Sequence, residues 1–372
     1  MDYIKAIQAT IHRNEKVQSL YYTTHSLMGI DWWTYAWLIG ARGRGKSFAS
    51  MDTVLQHYRD YGYENVKCYY FRLSDMSVEA MLANKARKAI DATLIRKYNL
   101  EITRKANTVY DHGHPIIDFY PLVSAAKKGK GVAEYDPDFL NNRPIGKDGK
   151  PIKRFIFIIL DEFMMAEGLE KRTVGNPVEQ FKIYMENILR DQGHLDYPAV
   201  RVFCCANAVS ECSDFLAQLC GFIPEKPGRY KLKRKHMIID NIPNSQAYME
   251  KRAESINADI MNYEDDANYT NVVKRDIATL VPKGYRKKKL TAIIKFSKDK
   301  NHWFCIWDGN VISKYTGQTC TTVYAMKRYL DTKFLPELVS LVIERYDARS
   351  WRYTDMISQA TFAAQLKLIK SK

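Results

Sequence analysis

The chain has 372 residues, 46% of them hydrophobic and 27% charged, with a formal net charge of +15. That length accommodates two domains, and the composition is that of a globular protein rather than a disordered or fibrous one. No apolar run reaches the roughly 20 residues a membrane-spanning helix needs, and the start of the chain shows no secretory signal. The seven cysteines form no Cys-x-x-Cys pair and are odd in number, which favours reduced core thiols in a cytosolic protein over a disulfide framework. The charge is uneven. Residues 1–220 carry 29 Lys/Arg against 26 Asp/Glu, and residues 221–372 carry 28 against 16. A positive excess gathered in one part suits a polyanionic partner, although solubility alone would also be served by it.

In chain order, residues 1–30 read as a helix (Tyr3 to Val17) and a loop ahead of the first core strand. Tyr35 to Ile39 is that strand. Gly40-Ala-Arg-Gly-Arg-Gly-Lys-Ser47 follows, a Gly-x-x-x-x-Gly-Lys-[Ser/Thr] pattern, and Ser47 to Arg59 reads as a helix. Strand, glycine loop and helix N-terminus are the context a phosphate cradle requires. Gly40, Gly43 and Gly45 let backbone N–H groups turn inward around phosphates, and the helix adds its positive end. Lys46 is then expected to reach the β/γ-phosphates of ATP, and Ser47 to ligate Mg²⁺. Arg42 and Arg44 are unusual charges for such a loop. A signal to an adjoining subunit and a solvated position both remain open for them.

Val66 to Leu73 reads as a second strand, and Ser77 to Tyr98 as one helix with Ser77 as its N-cap. Asn107 to Tyr120 reads as a hairpin around Asp111-His112-Gly113, with His112 and His114 as turn residues, not metal ligands. Ser124 to Gly131 holds Lys127, Lys128 and Lys130 among glycines. It reads as a basic loop, either solvated or touching phosphate. Tyr135 to Lys150 reads as a loop.

Phe155-Ile-Phe-Ile-Ile-Leu-Asp-Glu-Phe163 reads as a strand covered on both faces, with Asp161 and Glu162 at its carboxyl end, where open α/β sheets place ligands. This is a Walker B pattern: Asp161 holds Mg²⁺, partly through water, and Glu162 activates the attacking water. A glutamate directly after the aspartate favours hydrolysis. Asn176 to Arg190 is an amphipathic helix, and Arg190 at its end is either a helix-end cation or a finger toward a neighbour's γ-phosphate. Val200 to Ala206 is a further strand, and Asn207 after it is the candidate γ-phosphate sensor.

Residues 221–250, with the basic run Lys231 to His236, read as a linker or lid between an ATPase domain (1–220) and a basic domain (251–372). In the latter, Leu290–Phe296, Trp303–Trp307 and Asn310–Tyr315 read as strands, with Asp308-Gly309 as a two-residue hairpin turn. Thr322–Leu330, Leu335–Arg345 and Arg352–Lys370 read as helices. Glu264-Asp-Asp266 reads as a solvated acidic turn.

Taken together, the glycine loop, the strand ending Asp-Glu-Phe, the Leu-Arg helix end and the later strand ending Asn-Ala-Val-Ser resemble the genome-packaging ATPases of phi29-like, short-tailed bacteriophages. The resemblance is specific over residues 35–210 and architectural beyond. It implies an α/β P-loop NTPase of ASCE type with a mostly parallel central sheet, followed by a smaller α+β, RNase H-like domain that has lost its nuclease acids. It implies ATP and Mg²⁺ as cofactors, and double-stranded DNA as cargo. It further implies a homo-oligomeric ring, a pentamer in the family, working in the host cytoplasm while docked on the portal of a procapsid. Some relatives also use a structural packaging RNA, and none uses a membrane. Arg190 matches the family's trans-acting arginine finger, the Ser124–Lys130 loop its inter-subunit lysine, and Arg72 a region linked to gripping DNA. Ring helicases, nuclease-active terminases and nucleotide-switched scaffolds are the rival classes.

Overall fold

The computed structural model describes residues 20–86, 88–123, 138–164, 177–190, 192–193, 195–207, 215–224, 227–254, 280–282, 284–326 and 336–370. The chain divides into two compact units, Met1–Val209 with Pro224–Val273, and Ser210–Ile223 with Lys274–Lys372.

The first unit is built on β1 (Tyr35–Ile39), the helix α1 (Lys46–Tyr61) and β2 (Val66–Ser74), followed by α2 (Asp75–Ala86) and α3 (Ala92–Tyr98). A three-strand antiparallel meander comes next, β3 (Ile102–Lys105), β4 (Thr108–Asp111) and β5 (His114–Val123). Then come β6 (Phe155–Asp161), α4 (Pro177–Leu189), β7 (Val200–Ala206), β8 (Gly228–Leu232), β9 (Met237–Asn241) and α5 (Gln246–Ala253). The nine strands form one sheet in the order β3-β4-β5-β2-β6-β7-β1-β9-β8. The six strands from β5 to β9 run parallel, and β3, β4 and β8 add antiparallel edges.

The apolar runs explain the sheet's interior. Every residue of β6 from Phe155 to Leu160 is buried, as a strand covered on both faces must be. Leu38, Val54, Tyr70, Phe157, Phe203 and Ile238 share one core cluster, so the phosphate-loop strand and its helix are locked to their neighbours. Arg201 on β7 fastens the segment before β1. Its guanidinium donates to the carbonyls of Trp33 and Ile30 and lies 4.0 Å over the Trp33 ring. Burial lowers its pKa to about 10, against the pull of Asp31.

Several elements differ from the sequence reading. The single helix expected over 77–98 is two helices, α2 and α3. Asp91 restarts the chain by accepting the Thr93 N–H, and Ser74 rather than Ser77 receives an end N–H of α2, from Ser77 itself. The 228–241 part of the expected linker is instead a hairpin whose second strand pairs with β1 (Tyr35 opposite Met237). Its Ile238 and Ile239 are fully buried, which gives it a place in the core that its basic flank conceals.

The second unit contains a π-helical turn, Leu216–Cys220, then β10 (Leu290–Lys295), β11 (Trp303–Trp307), β12 (Val311–Lys314), β13 (Val323–Ala325), α6 (Pro336–Asp347), β14 (Arg352–Tyr353) and α7 (Met356–Lys370). Its sheet order is β13-β10-β11-β12-β14, an antiparallel meander with a parallel strand on each side. Asp308 and Gly309 both have positive φ, the primed turn the Asp-Gly pair calls for. Phe362 of α7 sits among Phe296, Phe304, Trp351 and Tyr353 at the core. Residues 323–325, expected to be helical, form β13, because Val323 and Tyr324 add to the open side of β10. The last helix starts at Met356 rather than Arg352, since Asp355 accepts the Ser358 N–H and Arg352–Tyr353 pair with β12. Five of the six described cysteines are buried, and none of the six is in a disulfide. No described helix is long and apolar enough to cross a membrane.

Candidate nucleotide site

The glycine loop leaves the carboxyl end of β1 and enters α1. Gly43 and Gly45 have φ of 83° and 84°, the left-handed region that a side chain resists. A Cβ on Gly40 would lie 3.1 Å from Cβ of Ile242, which follows β9, so a side chain at residue 40 would crowd the segment after β9 and require it to give way slightly. No side chain caps the start of α1. Its free N–H groups and positive dipole end are therefore left for an anion.

Beside this helix start lies a cleft of about 230 Å³ that gathers Lys46, Ser47, Asp161, Glu162 and Asn207 from three different elements. The Lys46 ammonium donates to the carbonyls of Gly40 and Ala41, at 2.9 Å each, and to Asn207 Oδ1 at 3.2 Å. Burial lowers its pKa to about 8, with the Asp161 carboxylate opposing the shift. Ser47 Oγ donates to Asp161 Oδ1 at 2.7 Å. A hydroxyl and a carboxylate held this closely offer two hard oxygen donors of the kind Mg²⁺ accepts. Cys205, under the loop and within 3.6 Å of Ser50 Oγ, is pushed up to about 12 by burial and stays a thiol.

The acid pair is held by β2. In the parallel register Phe71 faces Leu160, which puts Arg72 beside Asp161. Arg72 Nη1 donates to Asp161 Oδ2 at 2.6 Å, and Nη2 to Glu162 Oε2 at 2.8 Å. Burial alone would lower the Arg72 pKa, and the two carboxylates outweigh it and raise it. Tyr70 donates to Asp161 Oδ2 as well, at 2.7 Å. Glu162 has φ of 59°, an uncommon value for a residue with a side chain.

Arg44 is buried and structural. It donates to the Leu20 carbonyl (2.5 Å) and to Ser245 Oγ (3.2 Å), and it stacks 5.0 Å from the Tyr248 ring on α5. Tyr248 in turn donates to the Arg42 carbonyl. Of the two readings left open for these arginines, Arg44 takes neither, while Arg42 is exposed at the cleft.

The structure thus brings together Gly40, Gly43, Gly45, Lys46, Ser47, Asp161, Glu162 and Asn207. Arg72, read from resemblance as near a DNA-gripping region, has its guanidinium committed to the acid pair within the site. Arg190 is exposed at the end of α4 and is not among the residues lining the cleft of its own chain. Lys127, Lys128 and Lys130 lie outside the described residues, as do the Tyr3–Val17 helix and Glu264–Asp266. Sequence reasoning missed Tyr70 and Tyr248. The first could have been suspected as a polar atom on an otherwise apolar parallel strand. The second carries no local signal.

No protein-family model and no curated protein sequence matches the chain. Among solved structures, the phi-28 gp11 DNA packaging motor is similar at a TM-score of 0.63 and 16% identity, covering 94% of this chain and 98% of that one. The bacteriophage phi-29 viral genome packaging motor assembly is similar at 0.60 and 16%, covering 94% and 99%. The chain shares the fold of phage DNA-packaging motors. At this identity the likeness speaks for the fold, a mixed α/β architecture with a large, mostly parallel sheet.

Proposed function

We propose that this chain is the ATP-hydrolysing subunit of a ring motor that drives double-stranded viral DNA into a preformed capsid. The observation that carries the reading is the meeting of Lys46, Ser47, Asp161, Glu162 and Asn207 in one cleft at the carboxyl edge of a parallel sheet. An ASCE-type NTPase needs those five groups together. β7, which ends in Asn207, lies between the phosphate-loop strand β1 and the acid strand β6, as a sensor strand should. The fold shared with two phage packaging motors supports the cargo.

In this reading the loop's N–H groups and Lys46 bind the ATP phosphates, exchanging the carbonyls of Gly40 and Ala41 for phosphate oxygens. Ser47 and Asp161 would hold Mg²⁺, which when bound neutralises phosphate charge. Glu162 orients water and takes its proton, and Asn207 stays within reach of the γ-phosphate and Lys46. Arg72 restrains Glu162 until the site is engaged. Arg190, exposed on α4, reaches a neighbouring subunit's γ-phosphate, so that hydrolysis follows ring assembly, a pentamer by resemblance. The second unit is read as an RNase H-like domain without nuclease acids, which docks on the portal and, where one is used, on a packaging RNA. Its strands β10 to β12 carry no carboxylate. Asp299 is used as a turn cap, and Asp308 accepts from Tyr285 and the Lys289 N–H.

The test is Glu162→Gln in the full chain, with ATP binding and DNA-stimulated hydrolysis measured side by side. Binding is expected to persist while hydrolysis falls by about 10²-fold or more. An unchanged rate would make the nucleotide a switch instead of a fuel.

A further inference from the structure

The loop expected over 135–150 ends in a small ordered hairpin just ahead of β6. Ile145 bridges Pro151, Gly146 N–H donates to the Lys150 carbonyl (2.8 Å), and Ile152 N–H donates to the Pro144 carbonyl (2.8 Å). Arg154 fastens its base, donating to the carbonyls of Phe139 and Asn142 and to Asn65 Oδ1. Of the remaining cations of this hairpin, Lys147, Lys150 and Lys153 are exposed and Arg143 is half-buried. Arg143 and Lys153 flank the Tyr197 ring at 5.3 and 5.5 Å, and that ring is pinned by two hydrogen bonds between its hydroxyl and the Arg154 backbone.

Among the described residues no carboxylate is within ion-pairing distance of these four cations. Asp148 caps the hairpin turn by accepting the Lys150 N–H, and Asp196 is exposed next to Tyr197. A second basic element shares this end of the sheet. The exposed turn Lys233-Arg234-Lys235 leads into β9, whose Met237 is level with Tyr35 of β1, Val202 of β7 and Ile158 of β6, three residues in from Phe155. β6 and β9 are three strands apart, about 14 Å at the usual strand spacing. Both elements lie at the amino ends of the parallel strands, about 20 Å along β6 from the catalytic acids.

We propose that this end of the first unit, the 143–153 hairpin with the 233–235 turn, is a phosphate-backbone contact surface for duplex DNA, separate from the nucleotide cleft. The choice of DNA rests on the proposed motor function. The surface offers point charges and one stacked arginine, with no ordered polar set for reading bases, so binding is independent of sequence and dependent on salt.

The experiment measures fluorescence anisotropy of a labelled 30-base-pair duplex of mixed sequence against the full chain, without nucleotide, across a salt series. The variants are Arg143→Ala/Lys147→Ala/Lys150→Ala/Lys153→Ala and, separately, Lys233→Ala/Arg234→Ala/Lys235→Ala. Each cation that meets a phosphate is expected to reduce the slope of log affinity against log salt by about 1, and affinity at low salt to fall about tenfold or more for each variant. ATP hydrolysis without DNA should keep its wild-type rate, which also shows that the variants fold. Unchanged slope and affinity in both variants overturns the proposal. So does equal loss for a labelled polyglutamate chain, since a general anion surface and not a duplex surface would then be measured. A chain that binds DNA normally through this surface but does not hydrolyse ATP would sink the motor reading and leave this surface standing.

Discussion

Arg72 touches both acids of the candidate site at once, with one guanidinium nitrogen 2.6 Å from Asp161 and the other 2.8 Å from Glu162. The general base of the proposed reaction is therefore held by a cation on the next strand. Removing that cation should free Glu162. We expect Arg72→Ala to raise DNA-independent hydrolysis several-fold and to abolish its stimulation by DNA, measured as steady-state phosphate release. Asp161, nearly buried, loses a partner, so stability should also drop by about 1–3 kcal/mol in denaturant titration. Loss of basal activity comparable with Glu162→Gln would instead make Arg72 part of the catalytic apparatus.

Lys46 gives a pH prediction. Its pKa is lowered to about 8 in the nucleotide-free protein, against 10.5 for an ordinary lysine. Below pH 7 it is already an ammonium. Above pH 8 it is increasingly neutral, and bound phosphates favour the charged form. Nucleotide binding should therefore take up close to one proton at pH 9 and almost none at pH 6.5. Calorimetry in buffers of different ionisation heat reads this directly, and Lys46→Met should remove the difference. The same shift has a stability consequence with a definite sign. Between pH 8 and 10.5 the unfolded chain binds more protons here, so this group's contribution rises with pH across that window.

Arg44 is expected to behave as a fastening and not as a signal. Arg44→Ala removes hydrogen bonds to Leu20 and Ser245 and the stack on Tyr248. A loss of about 2 kcal/mol is expected, with nucleotide affinity falling because the loop loosens. Arg42→Ala, at an exposed position, should leave the melting temperature unchanged.

For Arg190, complementation between subunits is the deciding measurement. Rings mixed from Arg190→Ala and Lys46→Ala subunits should recover part of the hydrolysis that each loses alone, because each supplies what its neighbour lacks. No recovery in assembled rings would leave Arg190 as a helix-end cation.

The sequence reading was strongest where local chemistry and topology coincide. Tyr35–Ile39 and the Asp161–Glu162 strand end were legible because parallel strands buried on both faces leave unbroken apolar runs, Val200–Ala206 because its run is broken only by Arg201, and Lys46 and Ser47 because a phosphate loop needs a fixed spacing. Register was not legible. Arg72 reaches Asp161 only because Phe71 lies opposite Leu160, and nothing in Val66–Ser74 announces that pairing. The hairpin of β8 and β9 was hidden by its own lysines, since a strand with a charged flank looks like a linker when the strand it joins is 202 residues earlier in the chain, as Tyr35 is from Met237. Asp75–Ala86 and Ala92–Tyr98 merged into one helix because their apolar residues keep compatible spacing across the break.

The position of β9 bears on how this protein can be made and divided. The strand that flanks β1, places Ile242 against Gly40 and leads to the helix holding Arg44 is translated only after the chain has left the first unit and supplied Leu216–Cys220 to the second. During synthesis the phosphate-loop strand must wait with one bare edge until β9 (Met237–Asn241) has emerged from the ribosome, and Arg44 waits longer for Ser245 and Tyr248. A fragment cut at residue 220, where the charge balance changes, would keep every motif of the nucleotide site and still lack its wall. The shortest fragment that folds with the candidate site walled in should therefore end beyond Glu254, not at the compositional boundary.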